Sequence, residues 1–208
     1  MRAAEAELPT RHGTFRILVY RDVPTGKEHA ALVRGLFLQS PGEDDGDGAG
    51  DNAGDAVLVR VHSECLTGDI FQSLRCDCGA QLAQSLERID AAGRGVLLYL
   101  RQEGRDIGLT QKIRAYELQQ DGMDTFEANV ALGHPEDART YEAAHDILAD
   151  LGINRIRLLT NNPGKIDALQ ALGVTVVERV PLVIPANDVN RDYLATKRAK
   201  MGHFIDEA

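Results

Sequence analysis

The chain has three cysteines, Cys65, Cys76 and Cys78, and all lie within fourteen residues of one another in the segment SECLTGDIFQSLRCDCG. Clustered thiols in a chain without an export signal point to metal or redox chemistry rather than to disulfides. Ten residues separate Cys65 from Cys76, enough for the chain to turn back. Cys76 and Cys78 flank Asp77, so one tight turn can aim both sulfurs at a single point. Zinc takes thiolates in a tetrahedron, and three protein ligands leave the fourth position for water, as in a catalytic site. Two other arrangements use the same residues: a closed structural site completed by His62, three residues before Cys65, and three buried thiols holding no metal. His62-Ser63-Glu64 mimics the H-x-E of zinc nucleobase deaminases, but no P-C-x-x-C follows it.

Four further stretches set dense polar groups beside apolar runs. RVHSE (Arg60–Glu64) ends a strand-like run and leads into the first cysteine. RQEGRDIG (Arg101–Gly108) follows GVLLYL, where α/β proteins place ligand-binding loops; by itself it could equally be a charged turn. TNNPGK (Thr160–Lys165) follows RIRLL and opens a helix, where free backbone N–H groups favour an anion and Lys165 adds a point charge. Its plain alternative is an N-capped loop. HPEDAR carries Asp137 and Arg139 two residues apart, which taken alone describes a surface ion pair of little energetic weight. Neither G-x-x-x-x-G-K-[ST] nor G-x-G-x-x-G is present, so neither standard nucleotide fold is indicated. Together with the cysteines, these loops describe an anionic substrate that also needs a metal-activated water.

The elements that must position these groups read as an α/β protein: a mixed sheet with flanking helices and antiparallel opening strands. FRILVY, HAALVRGLFL and VLVRVH are β-rich and apolar. GAQLAQSLERIDAAG has a helical stripe of Leu82, Leu86 and Ile89, with Gly93 as its stop. The buried strand GVLLYL comes next, then a helix over IGLTQKIRAYELQQDG and a third from Thr140 to Leu151. The strand RIRLLT, a short helix through IDALQALG, the strand VTVVERVPLV and a polar helical tail, NRDYLATKRAKMGH, complete the pattern. No internal repeat or domain linker appears, so residues 1–208 read as a single domain.

Between Ser40 and Asp55 lie six acidic residues and no Lys or Arg, and they supply six of the nine excess negative charges. This Gly-Asp-Ala segment, 40–56, has no large apolar side chain and reads as a disordered acidic loop. It lacks the ligand spacing and final Glu of an EF-hand. The net charge of −9 argues against a nucleic-acid partner, whose footprint is normally basic. No apolar run spans a bilayer and the N-terminus has no apolar core of a signal peptide, so no membrane association and a cytoplasmic location are expected.

The longer motifs carry a resemblance. R-V-H-S-E-C-L-T-G-D-x-F-x-S-L-R-C-D-C-G, then R-Q-E-G-R-x-I-G-L, K-I-R-A-Y, D-T-x-E-A-N and L-L-T-N-N-P-x-K, resemble the GTP cyclohydrolase II family. The likeness runs from A-E-A-x-L-P-T near the start to T-K-x-x-K-M-G-H in the tail, with the acidic insertion as its one departure. The resemblance implies zinc on Cys65, Cys76 and Cys78. It implies GTP contacts from Arg60, Val61, His62, Ser63, Glu64, Gln81, Glu103, Gly104, Arg105, Thr125, Thr160 and Lys165. Asp137 matches the family's proton acceptor and Arg139 its nucleophile. Magnesium on the triphosphate, a homodimer and the single-function form without a fused synthase are further implications.

The implied reaction opens the imidazole ring of GTP with loss of formate and pyrophosphate. Water must add at C8, whereas pyrophosphate loss is phosphoryl chemistry that depends on positioned cations. A guanidinium is a poor nucleophile while protonated, so Arg139 is either a covalent group deprotonated by Asp137 or a clamp on the transition state. Tyr116 of K-I-R-A-Y is expected either to serve proton transfer at the base or to pack on the core. Glu103 suits the paired N1–H and N2–H donors of guanine. The rivals are a nucleotide pyrophosphohydrolase with purely structural zinc, and a GTP-sensing module without turnover.

Overall fold

A computed structural model describes residues 1–36, 56–135 and 137–204. The acidic loop expected at 40–56 therefore lies, except for Ala56, outside the described residues. The strands are β1 (Arg2–Thr10), β2 (Gly13–Arg21), β3 (Glu28–Arg34), β4 (Val57–Ser63), β5 (Gly95–Leu100), β6 (Arg155–Leu159) and β7 (Thr175–Val180). The helices are α1 (Leu66–Asp69), α2 (Cys78–Ala91), α3 (Leu109–Gln120), α4 (Thr125–Ala131), α5 (Glu142–Asp150), α6 (Pro163–Ala171) and α7 (Arg191–Met201).

All seven strands form one mixed sheet in the order β1-β2-β3-β5-β4-β6-β7. The expected antiparallel opening is present: β1, β2 and β3 pair antiparallel, and β3 passes the same sense to β5. From β5 onward the pairs β5–β4, β4–β6 and β6–β7 are parallel. The two near-continuous apolar runs, VLVRVH and GVLLYL, take central places because only there are both faces covered.

Alternation along β4 divides its side chains between two cores. Val57, Val59 and Val61 join Val96, Leu98 and Leu100 of β5 against Ile147 and Leu148 of α5 and Leu169 of α6. Leu58 and Leu97 join Phe15 against Leu86 and Ile89 of α2 on the other side. Arg60 and His62 share the second face, so two polar groups are buried on a central strand at 6% and 2% exposure. Burial of that kind is costly unless each group finds partners, and those partners build the site.

Three described elements were not expected. β1, RAAEAELPT, has no apolar face and is mostly exposed. It is a strand because β2 pairs with it along nearly its whole length, a tertiary effect overriding weak propensity. Helix α1 has only four residues, too few to show a period. Helix α4 did carry a readable signal: Asp124 and Glu127 form a capping box, the Glu127 N–H donating to Asp124 at 3.0 Å and the Asp124 N–H to Glu127 at 3.1 Å.

Candidate metal centre and nucleotide cleft

The site gathers at the C-terminal ends of the parallel strands, the usual ligand edge of such sheets. β4 ends at Ser63, and the chain passes through Glu64 to Cys65, which caps the short α1. Cys76 lies in the return loop, and Cys78 is the first residue of α2. The three sulfurs lie within 4.8 Å of one another, with Cys65 and Cys76 Sγ 3.8 Å apart. A tetrahedron with Zn–S bonds of about 2.3 Å has S···S edges of about 3.8 Å, so the trio fits that ion. Gly68 of α1 leaves the space: a Cβ there would stand 2.8 Å from Cys76 Sγ and 3.1 Å from Cys65 Sγ.

The electrostatics favour a thiolate at Cys65. Hydrogen bonding from Cys76 and Cys78, with help from Lys112, draws the Cys65 thiol far below its ordinary range against the cost of burial. Lys112 Nζ donates to Cys65 Sγ at 3.1 Å. Proximity to Cys65 pushes Cys76 up to about 11 and Cys78 well above the usual thiol value. Three such sulfurs are an unfavourable set for protons and a favourable one for a dication.

His62 does not complete this cluster. Its Nε2 meets the Asp69 carboxylate at 3.0 Å, and its ring stacks on Tyr99 with centroids 5.6 Å apart. Asp69 also accepts from Tyr99 Oη at 2.8 Å and from the Cys65 N–H at 3.0 Å. A closed site of three cysteines and His62 does not form: among the described residues the group able to hold a metal is the three cysteines without His62. Burial holds the His62 ring below its usual range despite that carboxylate, so the network assigns the Nε2 proton to the bond with Asp69.

Glu103 organises the loop after β5. One carboxylate oxygen accepts from the Leu66 N–H at 2.6 Å; the other accepts from the Gly104 N–H and from Lys112 Nζ at 2.8 and 2.7 Å. Gly104, Arg105 and Asp106 all have positive φ, of 63°, 61° and 71°. Two consecutive non-glycine residues in that region mark a strained loop of the kind found at functional sites. The Ala138 N–H donates to the Arg105 carbonyl at 3.3 Å, tying the Asp137–Arg139 segment to it.

Asp137 and Arg139 do form an ion pair, with Asp137 exposed and Arg139 half-buried at the lining of the cleft. Arg139 donates to Asp137 from Nε at 2.8 Å, from its second guanidinium nitrogen, and from its backbone N–H at 3.0 Å. Burial opposes the charge on each, but their hydrogen bonds win: Asp137 lies below the usual carboxylate range, and the Arg139 guanidinium is held protonated.

Most of the remaining expected residues line the same cleft, a concavity of roughly 650 Å³, whereas Val61 is buried in the core on the α5 side and contributes only its carbonyl. Arg60 spans two elements, donating to the Leu159 carbonyl at 2.9 Å and to Gln81 of α2 at 2.6 Å. Burial lowers it to about 10, so it stays charged at neutral pH. Lys165 points inward to donate to the Val61 carbonyl at 2.6 Å, and burial, then Arg60 and Arg139, depress it well below an ordinary lysine. Thr160 is buried, and its Oγ1 accepts the Asn162 N–H at 3.0 Å. The plain reading of TNNPGK also holds: Asn162 caps α6 and Pro163 sits in its first turn. Ser63 donates to Gln102 at 3.2 Å and Glu64 accepts from Arg101 at 2.8 Å, both at the cleft rim. Tyr116 lines the cleft instead of packing on the core, its Oη 3.3 Å from Thr67. Thr125 is the first residue of α4.

The family model described as GTP cyclohydrolase II matches residues 1–181. This chain belongs to the GTP cyclohydrolase II family. It is 53% identical to a GTP cyclohydrolase-2 of Pasteurella multocida over 98% of the chain and 87% of that protein. It is 52% identical to a riboflavin biosynthesis protein RibBA of Bacillus cereus over 99% of the chain. A third relative is a probable bifunctional riboflavin biosynthesis protein of Oryza sativa, 55% identical over 97% of the chain. The chain spans 48% and 34% of those last two proteins, so the family includes both shorter and fused members.

Several cleft residues of this family member were given no role from sequence. Lys112 lies inside K-I-R-A-Y, and Lys197 and His203 inside T-K-x-x-K-M-G-H. Their motifs were visible, but motif membership does not say where a side chain points. No helix among the described residues is long and apolar enough to cross a membrane.

Proposed function

We propose that the chain hydrolyses GTP to 2,5-diamino-6-(5-phosphoribosylamino)pyrimidin-4(3H)-one with release of formate and pyrophosphate, committing the base to riboflavin. The observation that carries this reading is one cleft holding both a three-cysteine cluster and the basic side chains of Arg60, Lys165 and Arg139. When zinc is bound by Cys65, Cys76 and Cys78, it supplies Lewis acidity beside the base. The chain's own residues do the rest. Glu103, Gly104 and Arg105 form the strained loop against which guanine is placed, and Glu103 retains one of about four lone-pair positions after its three internal bonds. Arg60 through Glu64, Gln81, Thr125, Thr160 and Lys165 bind the remainder of GTP. Tyr116 Oη moves a proton at the base.

At the phosphate end, Arg139 meets the α-phosphate as a cation, oriented and kept protonated by Asp137. The cations neutralise charge that develops on the leaving pyrophosphate, and magnesium on the triphosphate shares that task. The working protein is read as a cytoplasmic homodimer with GTP as its small-molecule partner. The test is direct: incubate with GTP, magnesium and zinc, then quantify formate, pyrophosphate and the pyrimidine. Pyrophosphate and GMP without formate would reduce the protein to a pyrophosphohydrolase; saturable GTP binding without either product would make it a sensor.

A further inference from the structure

The match to the family model ends at residue 181, before α7 begins, yet Tyr193, Lys197 and His203 line the cleft. α7 ends on Gly202 in the left-handed conformation at φ 63°, which reverses the chain. The His203 N–H then donates to the Lys197 carbonyl at 3.2 Å, and the Phe204 N–H to the Asn161 carbonyl beyond β6 at 2.8 Å. Arg179 stacks over the Phe204 ring at 4.7 Å. The segment is therefore clipped down at both sides of His203, whose ring faces the cleft.

His203 Nε2 is buried and has no hydrogen-bond partner among the described residues. Three cations from three elements face it: Lys197 of α7, Arg139 before α5 and Lys165 of α6; Asp77, before α2, is the acid that opposes them. Burial first, and those cations next, hold the imidazole near 3, so it is neutral in this arrangement. Asp77 is already committed, accepting from Lys197 at 3.0 Å and from Gln81 at 2.5 Å. Asp137 is likewise committed to Arg139. The lining of the cleft onto which that unpartnered nitrogen opens nevertheless carries seven Lys and Arg side chains against three carboxylates, an imbalance that a polyanion would offset.

We propose that His203 is a ligand of the substrate triphosphate, carried into the cleft by the cap of α7, and that it takes up a proton when the anion binds. The identity of the anion rests on the GTP reading; the anion site itself does not, and inorganic triphosphate probes it separately. The zinc-loaded full chain, His203→Ala and His203→Gln are titrated calorimetrically near pH 7 with GTP, inorganic triphosphate and guanosine. Each titration is repeated in two buffers of different ionisation enthalpy. His203→Ala should weaken GTP and inorganic triphosphate at least tenfold and leave guanosine unchanged. His203→Gln keeps a hydrogen-bonding group without the charge; it should melt with the wild type and lack the proton uptake that wild type shows.

Triphosphate affinity within twofold of wild type in His203→Ala, or equal proton uptake in wild type and His203→Gln, would overturn the proposal. The two readings also fail separately. Wild type that releases formate while His203→Ala binds GTP normally keeps the GTP reading and sinks this one. Wild type that ignores GTP but binds inorganic triphosphate through His203 does the reverse.

Discussion

At the scale of single residues, each reacting step makes its own demand on the cleft. On the proposed reaction, ring opening would draw on the cysteine cluster, and pyrophosphate loss on cations at the phosphate end. Cys65→Ser removes the sulfur that holds the negative charge, and a serine hydroxyl is a poor zinc ligand. Formate release should fall to background in this variant while slow pyrophosphate release, yielding GMP, continues; formate at the wild-type rate from zinc-free protein would refute the role of the cluster. Arg139→Ala should abolish pyrophosphate release, and formate measured on the same samples then gives the order of steps. Its absence places phosphoryl chemistry first, and its presence makes ring opening independent. Glu103→Gln should lower kcat/KM for GTP at least tenfold, about 1.4 kcal/mol in the barrier. It should also erase preference for GTP over ITP, which lacks the 2-amino group. An intact preference would leave Glu103 only its internal work of bonding Leu66 N–H and Lys112. Protonation carries a stability consequence as well. The His203 imidazole falls from its ordinary 6.5 to about 3 on folding, so below 6.5 the unfolded chain binds the extra proton. Its contribution to stability is therefore intact above about pH 7 and declines as pH falls towards 4. Thermal melts should show that decline, and His203→Gln should lessen it.

At the scale of elements, α1 is the part that makes the metal centre. Its four residues bring Cys65 and Asp69 together, and Gly68 at its middle faces all three cysteines. The gap there is too small for a methyl group: beside the two sulfurs, Cys78 Cβ would be 3.0 Å away. Gly68→Ala should therefore disturb the cluster without touching a ligand. Zinc per chain, measured by elemental analysis after dialysis against a weak chelator, should fall well below the wild-type value while the melting temperature without zinc changes little. Full zinc retention would mean that α1 shifts freely, contrary to its tie to Glu103. α7 acts from the opposite side, since Lys197 reaches Asp77 in the turn between two ligands.

At the scale of the whole molecule, the sheet separates the edge at which the acidic segment joins β3 to β4 from the edge that carries the cleft. Arg34 at the end of β3 and Leu58 near the start of β4 both pair with Gly95 of β5, on its two sides. With strands about 4.8 Å apart, these ends stand roughly 10 Å from each other, a gap that a few residues can cross. This is the N-terminal end of β4 and β5, whereas the cleft forms at their C-terminal ends. Replacing 40–56 with a short turn should leave turnover within tenfold and the melting temperature nearly unchanged. A larger loss of activity would assign the acidic segment a role at the cleft.

Sequence alone determined what depends on local pattern and on long contiguous motifs. The apolar runs of β4 and β5 named the central strands, the period of α2 named its buried face, and the spacing of Cys65, Cys76 and Cys78 marked them as candidate metal ligands. Family membership was legible for the same reason, since R-V-H-S-E-C and T-N-N-P-x-K are unbroken stretches. The tertiary structure decided whatever depends on which distant groups meet. It made β1 a strand by pairing it with β2, and it turned His62 to Asp69 and away from the cysteines. It set Glu103 on the Leu66 N–H, and it aimed Lys197 and His203 of the tail into a cleft more than a hundred residues away in sequence. Side-chain direction and partner choice follow from packing across the sheet, and no local periodicity records them.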